Sequence, residues 1–540
     1  MTNQIQIQIH EEGLLRHQRH AFSNRFTLVS ELLQNARRAG ATRIELRYDE
    51  HRQVLAVHDN GHGVADFQKL LSLHESGWDA ETCAREQPFG IGFLKCLYAA
   101  TRCVVQSGWR VVDIDTAAAL ARQPIAVEAV PEDASVPGTC ITLHGVHLPG
   151  LVPQVQRLCR GFAVPVWLNG QLLARPLAER ALALHDSAVG RIHLAGAHDG
   201  QYSQDTLVFL QGFCVLEPSW QPTERVNVVH LDTRLFLARL PDRDRLIDED
   251  LQRQRIADAL KACWRQVLLA ERASLPPAVF AERFHAVMRN WGQLDLLNDL
   301  DVLPPQLVWA ISSYPVQDEL GLHKFTQPAP ALPTRAAIEA GAVRLVALDE
   351  VSEENAAHWM LARHHGWLVF DWFGVDSRHW VLRHVRHLQR TAARVTPVAE
   401  QLRTTLEGRA VFPVVVLCNA VRVRVGDDEA LVTDAGVAHR GCLYIPDGET
   451  TGAAVRQHAS FLDEHDYFMD SECEADQEAL ADLLFRLRSV DPVVTLESLL
   501  VALKLGKYPL LHGKTFSLSV GVGAQPGQVV LLAPEPCEGG

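Results

Sequence analysis

RFTLVSELLQNARRA (25–39), followed after a glycine by TRIELRYDEHRQVLAVHDNGHGV (42–64), decides the fold of the first part of the chain. Apolar residues in the first stretch recur at helical spacing, and Gly40 is a natural stop. TRIELRY and QVLAVHD then read as two short strands joined by a polar turn, the second leading straight into DNGHGV. Working outward, residues 65–88 are polar and interrupted by glycine, and GIGFLKCLYAAT (90–101) reads as a glycine turn opening a helix. Strands near 102–107, 110–115 and 139–144 complete an α+β pattern, with helices gathered on one face of a mixed sheet. A helix over 150–163 and a strand in AVPVWLNG (163–170) close this unit. Upstream, Asn3 to His10 alternates like a half-buried strand.

At 540 residues the chain exceeds one hydrophobic core, since cores stop growing near ~250–300 residues. The expected domains are 1–172, an α/β unit at 185–295, and a mixed α/β region at 300–540. The proline cluster PAPALP (328–333) reads as a linker or long loop. A hydrophobic content of 47% with 21% charged residues is that of a folded, water-exposed protein. The longest apolar runs, such as VFPVVVLCNAV (411–421), are about half the length a membrane helix needs. No signal-peptide pattern opens the chain, so a cytoplasmic location and no membrane partner are expected. Eleven cysteines are scattered without a C-x-x-C pair or zinc spacing and read as reduced thiols. A net charge of −14 argues against a protein that coats nucleic acid over its whole surface, while leaving room for a local basic patch.

Four short patterns carry chemistry. In ELLQN, Glu31 and Asn35 emerge on one helix face; a carboxylate can activate water there and a carboxamide oxygen can bind a hard cation. In DNGHGV, Asp59 ends an apolar strand, and Gly61 and Gly63 allow close backbone approach to a ligand. In QPFGIGFLK, Gly90 and Gly92 precede a helix whose amide N–H groups suit phosphate, with Lys95 as an added charge. In GTCITL, Gly138 makes room and Thr139 offers a hydroxyl. Each pattern alone is common in unrelated proteins; their order and spacing are what count.

Together they resemble the superfamily of gyrase, heat-shock protein 90 chaperones, histidine kinases and MutL, over roughly the first quarter of the chain. The resemblance implies a Bergerat-type nucleotide-binding sandwich that binds ATP and Mg²⁺. It implies that Glu31 positions the attacking water, Asn35 holds Mg²⁺, and Asp59 and Thr139 read adenine. Gly61, Gly63, Gly90 and Gly92 would shape the pocket and phosphate loop, and Lys95 would meet phosphate. Residues 65–88 match the position of a mobile ATP lid. QPFGIGF is similar to the chaperones' Q-F-G-V-G-F, whereas DNGHGV is closer to the MutL and kinase version. Arg38 departs from the pattern, standing where most relatives carry Asp. PDRDRLI (241–247) resembles the catalytic loop of the chaperones' middle domain; by that match Arg243 reaches the γ-phosphate, with Arg239 and Arg245 as nearby alternatives.

The activity expected is that of an ATPase working a homodimeric clamp on an unknown protein client, as chaperones do. The alternatives are a nucleic-acid-associated ATPase of MutL or microrchidia type, and an ATP-gated scaffold with little turnover. Two further features stand outside this reading. Arg383, Arg386, Arg390 and Arg394 fall at the spacing of one helix stripe, and 463–478 holds eight acidic residues and no Lys or Arg, an exposed loop or helix start.

Overall fold

Helix α1 (Thr27–Arg38) forms because Leu28, Val29, Leu32, Leu33 and Ala36 all turn to one side, where each is buried. It ends at Gly40, whose φ of +72° lets the Ala41 N–H return to the Ala36 carbonyl at 3.1 Å, a left-handed cap that glycine takes at least cost. The computed structural model describes residues 15, 26–73, 75, 77–86, 88, 90–218, 225–239, 244–315, 325–352, 354–409, 411–449, 470–523 and 525–532. The strand expected over Asn3–His10 lies outside them. The chain divides into two compact units, residues 1–304 with 373–380 and residues 305–372 with 381–540.

In the first unit, α1 lies on an eight-stranded mixed sheet. Its strands are β1 (Ile44–Asp49), β2 (Val54–Asp59), β3 (Arg102–Gly108), β4 (Arg110–Asp115), β5 (Val127–Ala129), β6 (Val136–His144), β7 (Val166–Leu168) and β8 (Gln171–Leu172), in the order β5-β4-β3-β6-β2-β1-β7-β8. All neighbours are antiparallel except β1 and β7. Along β2 the burial alternates, with Leu55, Val57 and Asp59 buried and Val54, Ala56 and His58 half-exposed. This period of two is the mark of a sheet covered on one face only. Helices α2 (Gln68–Leu71), α3 (Ala80–Glu86), α4 (Leu94–Ala99), α5 (Thr116–Leu120) and α6 (Leu151–Cys159) follow in chain order. The core joins α1, α4 and α6 to the covered face through Leu32, Leu33, Leu46, Leu97, Leu143 and Val155.

A second sheet in the same unit runs β12-β11-β13-β10-β9, from β9 (His185–Ser187), β10 (Gly190–His193), β11 (Thr206–Leu210), β12 (Phe213–Leu216) and β13 (Asn227–Leu231). Helices α7 (Glu249–Ser274) and α8 (Pro277–Asn290) bury Trp264, Phe280 and Phe284 against it. The two sheets are knit together. Phe162 stacks on Phe213 at 5.1 Å, Arg160 donates to Glu217 at 3.1 Å with Arg157 on the same carboxylate, and Gln34 of α1 donates to Gln211 at the β11–β12 turn.

The second unit contains a five-stranded sheet, β14 (Val308–Ile311), β15 (Thr326–Pro328), β16 (Leu345–Ala347), β17 (Leu368–Phe370) and β18 (Val385–His387), with helices α9 (Arg335–Glu339) and α10 (Ala356–His364). A further sheet, β19 (Ala393–Thr405), β20 (Val414–Val425), β21 (Asp428–Val432), β22 (Val437–His439) and β23 (Cys442–Pro446), packs against α10 and against α11 (Asp470–Arg488). Helix α12 (Pro492–Ala502) and the hairpin of β24 (Phe516–Ser519) and β25 (Gln528–Leu531) follow. The proline cluster 328–333 therefore runs inside this unit, between β15 and α9, while the boundary falls at 304–305. The arginine stripe is corrected as well. Residues 380–394 alternate short 3-10 turns with strand, so the four arginines share no helix face, and Arg386 pairs with Asp428. Of the acidic stretch, 470–478 begins α11. Its Asp476 is buried, accepting from the Arg409 N–H at 2.5 Å and the Val411 N–H at 3.0 Å, because a helix carboxylate can satisfy two loop amides.

The nine described cysteines are unbridged, and burial pushes the Cys103 and Cys159 thiols up to about 12, which keeps them unreactive. Among the described residues, no helix is long and apolar enough to cross a membrane. Leu33 sits fully buried in α1 at the centre of the first core. Leu33→Ala should lower the stability of this unit by about 2–5 kcal/mol. The measurement is hydrogen exchange of the β1 and β2 amides, which open with this core; unchanged protection would mean that α1 is not integral to it.

Candidate functional site

The sheet and α1 leave a cavity of about 310 Å³ between them, at the lower end of the size range of small-ligand pockets. Three polar residues of α1 face it, Glu31, Asn35 and Arg38, at steps of four and three that keep them on one side of the helix. Opposite stand Asp59 and Thr139, which are direct partners across the β2–β6 ladder. Asp59 shares its side of the strand with Leu55 and Val57, so a carboxylate occupies a position the pattern reserves for apolar residues. Burial raises its pKa above the usual aspartate value, against the lowering effect of the Gly61 N–H, which donates to Oδ1 at 2.8 Å.

The loop after Asp59 is pinned from several sides. Asn60 accepts from the Thr42 and Arg43 N–H groups at 2.8 and 2.9 Å, and the His62 N–H reaches the Ala39 carbonyl at 2.9 Å. Ser107 accepts from the Val64 N–H and donates to the Gly138 carbonyl, both at 2.8 Å. Two glycines are required by close approach. A Cβ on Gly138, at φ +69°, would collide with the Asp59 carbonyl, and a Cβ on Gly92 would strike the Glu31 carboxylate.

Residues 65–88 cover the mouth with Lys69, Leu70, Glu75, Gly77, Trp78 and Pro88, and Gly90 and Gly92 line the side by α4. Trp78 packs edge-on against His62 at 5.8 Å. Helix α3 is joined to α1 by charge. Glu86 accepts from Arg37 at 2.5 Å and from Arg38 at 3.0 Å, and its side chain is almost wholly buried. Burial works to raise the Glu86 carboxyl, but the two guanidiniums outweigh it and hold the group below the usual range.

Of the residues singled out from sequence, Glu31, Asn35, Asp59, Gly63, Gly90, Gly92 and Thr139 meet in this one cavity. Gly61 and Lys95 do not line it. Gly61 supports Asp59 from behind, and Lys95 is buried with Nζ 4.0 Å from Glu31 Oε1. A lysine in the first turn of α4 turns inward here because the partner carboxylate is inside. Arg243 lies outside the described residues. On either side of it, the Arg239 N–H donates to the Arg245 carbonyl at 2.7 Å and both of these side chains are exposed. Trp78, Glu86 and Gln211 were not anticipated from sequence. Arg38 was noted only as a departure, although its place seven residues after Glu31 puts it on the same face.

Glu31 also lines a second cavity of about 320 Å³ on the other flank of α1, with Thr27, Ser30, Gln34 and Asp244. The carboxylate is thus a wall between two spaces, one bounded by Lys69, Leu70 and Trp78 and one by the second sheet.

Among the described residues no cluster of three or more His, Cys, Asp or Glu could hold a metal by itself. The carboxamide of Asn35 fits one ligand position of a hard cation that takes its remaining oxygens from water and phosphate. The guanidinium of Arg38 already approaches that same oxygen at 3.5 Å.

Residues 23–129 match the family described as histidine kinase-, DNA gyrase B-, and HSP90-like ATPase. The matched span runs from α1 to β5 and contains every residue on the α1 and lid sides of the cavity. No curated protein is similar enough to the chain to count as a relative. Residues 23–129 of the first unit are thus similar to the ATPase domains of this superfamily, within a mixed sheet-and-helix sandwich of the kind expected from sequence, and the match singles out no one branch.

If Asp59 accepts the adenine amino group, its ionised form is the stronger acceptor. Its carboxyl stays protonated to a higher pH than an ordinary aspartate because burial raises the pKa, so ATP affinity should fall on acidification earlier than an ordinary carboxylate would make it. For folding the sign is opposite, since protonation relieves the buried charge and stabilises the native state as pH falls through the raised pKa. Calorimetric ATP titrations at several pH values should show this loss in the wild type, while Asp59→Asn should bind weakly at every pH.

Proposed function

We propose that the chain is an ATP-driven conformational clamp of the heat-shock protein 90 type, acting as a dimer on a protein client. The observation that carries the reading is the meeting of Glu31, Asn35, Asp59 and Thr139 around one cavity, the first three of them within the matched span. Asp59 and Thr139 would take the base, and the amides around Gly90 and Gly92 the phosphates. Bound Mg²⁺ would supply charge neutralisation to the phosphates, with Asn35 as its protein ligand.

Glu31 serves as the base in this reading. Lys95 stands behind it with Nζ 4.0 Å from Oε1, and Gly92 leaves the carboxylate room at the phosphate end. Residues 65–88 close over the nucleotide and exclude water. The second sheet then senses the nucleotide through residues 239–245, with Arg243, Arg239 or Arg245 meeting the γ-phosphate. Two features support transmission between the sheets: the Gln34–Gln211 hydrogen bond, and Asp244 on the cavity that shares Glu31.

A protein client is supported by net charge and by surface. At −14 the chain repels phosphate backbones overall. Apolar side chains of 490–532, such as Val490, Leu510, Val520 and Val522, stand more than three-quarters exposed, which suits apolar polypeptide segments.

Glu31→Ala should cut ATP turnover on the order of 10²-fold or more while ATP affinity stays near that of the wild type. Steady-state hydrolysis and calorimetric binding, measured on the same preparation, separate the two. Hydrolysis at the wild-type rate would remove Glu31 as the base. Stimulation of turnover by DNA or RNA, and not by an unfolded polypeptide, would overturn the protein client.

A further inference from the structure

We propose that Arg38 is a cation built into the nucleotide cavity that competes with the divalent ion for Asn35 and takes over part of its role, so that nucleotide binding by this chain depends only weakly on Mg²⁺. The inference rests on the reading of this cavity as the nucleotide site.

Position comes first. Arg38 is one turn along α1 from Asn35 and lines the same cavity, with a side chain only 2% exposed. An arginine is not held that deep without a strong reason, because its guanidinium stays charged at any accessible pH and is costly to remove from water. Glu86 supplies part of the compensation through Nε at 3.0 Å, but its carboxylate is divided with Arg37. The other edge of the guanidinium is turned toward the cavity floor, where Nη1 approaches Asn35 Oδ1 at 3.5 Å.

That oxygen is the protein ligand that the nucleotide reading assigns to the divalent ion. An ion bound there stands at short range beside a like charge whose side chain is almost wholly buried, where repulsion is screened less than in water. The guanidinium and the ion therefore compete for one oxygen and for one task. A triphosphate entering the cavity meets a fixed positive group with several N–H donors, which matches phosphate oxygens as an ion does.

The pairing with Glu86 extends the argument to the lid. Glu86 is the last residue of α3, within the 65–88 segment, so whatever draws Arg38 toward the phosphates also alters the bond that anchors α3 to α1. Neutralising Glu86 should make Arg38 a stronger competitor of the metal, and removing Arg38 should abolish the competition. The two substitutions thus act on the ion in opposite directions, which general damage to the pocket cannot do.

The test is calorimetric binding of a non-hydrolysable ATP analogue to the full-length chain, in excess Mg²⁺ and in EDTA, with Mg²⁺ titrated between. In the wild type, removing Mg²⁺ should weaken binding by less than about tenfold. In Arg38→Met, metal-free binding should fall by roughly tenfold or more, the worth of a charge-assisted hydrogen bond, and the half-saturating Mg²⁺ concentration should drop. In Glu86→Gln, the half-saturating Mg²⁺ concentration should rise instead. Circular dichroism checks that each variant is folded, and Glu86→Gln alone decides the matter should Arg38→Met fail to fold. Equal Mg²⁺ dependence in wild type and variants overturns the inference while leaving nucleotide binding intact. No binding of the analogue by the wild type under either condition overturns the nucleotide reading itself.

Discussion

Everything in the first unit depends on how α1 is buried. Its apolar side must lie on the sheet, and that packing leaves the adjoining flank, bearing Glu31, Asn35 and Arg38, over a hollow instead of in solvent. A carboxylate, an amide and a guanidinium in such a place are each costly unless partnered. The surrounding structure supplies the partners: Lys95 stands near Glu31, Arg38 near Asn35, and Glu86 takes Arg38. The glycine pattern follows from the same crowding. With a Cβ at position 92 the carboxylate of Glu31 could not stay where it is, and with one at 138 the β2–β6 ladder could not bring Thr139 beside Asp59. Residues that look like independent motifs in sequence are one packing problem in three dimensions.

The second consequence of that burial is that α1 has two working flanks. Toward the first cavity it presents Asn35 and Arg38; toward the second it presents Thr27, Ser30 and Gln34, and Glu31 belongs to both. Gln34 is buried and donates to Gln211, which holds a left-handed φ of +56° beside Gly212 at the tip of the β11–β12 hairpin. A small rotation of α1 about its axis would therefore be felt at that hairpin. Rigid helices bridging two packed faces transmit such movements because cores have few intermediate arrangements.

The legibility of the sequence divides along a physical line. Where local pattern and burial coincide, the reading and the structure agree. α1, β1 and β2 fall within a residue or two of their expected limits, and the glycines of 61–63 and 90–92 mark real turns. Side-chain direction was harder to read. Lys95 has the spacing of a phosphate-facing charge, yet turns inward to a carboxylate that nothing local reveals. The arginines at 383–394 have helical spacing but sit on turns and strands, because tertiary pairing of β16 with β18 overrides the local period. Glu86 is forty-eight residues from Arg38, and no periodicity links a lid helix to the helix it anchors. The unanticipated residues are all of this long-range kind.

This bears on how the cavity is controlled. A lid held only by apolar contacts would close in proportion to the surface it buries, whatever the charge beneath it. Helix α3 is held instead by Glu86 on two guanidiniums of α1, one of which lines the cavity. Ion pairs in such a shielded place are strong only while their geometry is good, and they weaken sharply when a third charge enters. A polyanion in the cavity is such a charge, and so is a divalent ion on Asn35, and the two act on Arg38 with opposite sign. On the reading proposed above, the placement of α3 and the charge state of the cavity are linked through one guanidinium, and an aspartate at position 38 would reverse the sign of that link.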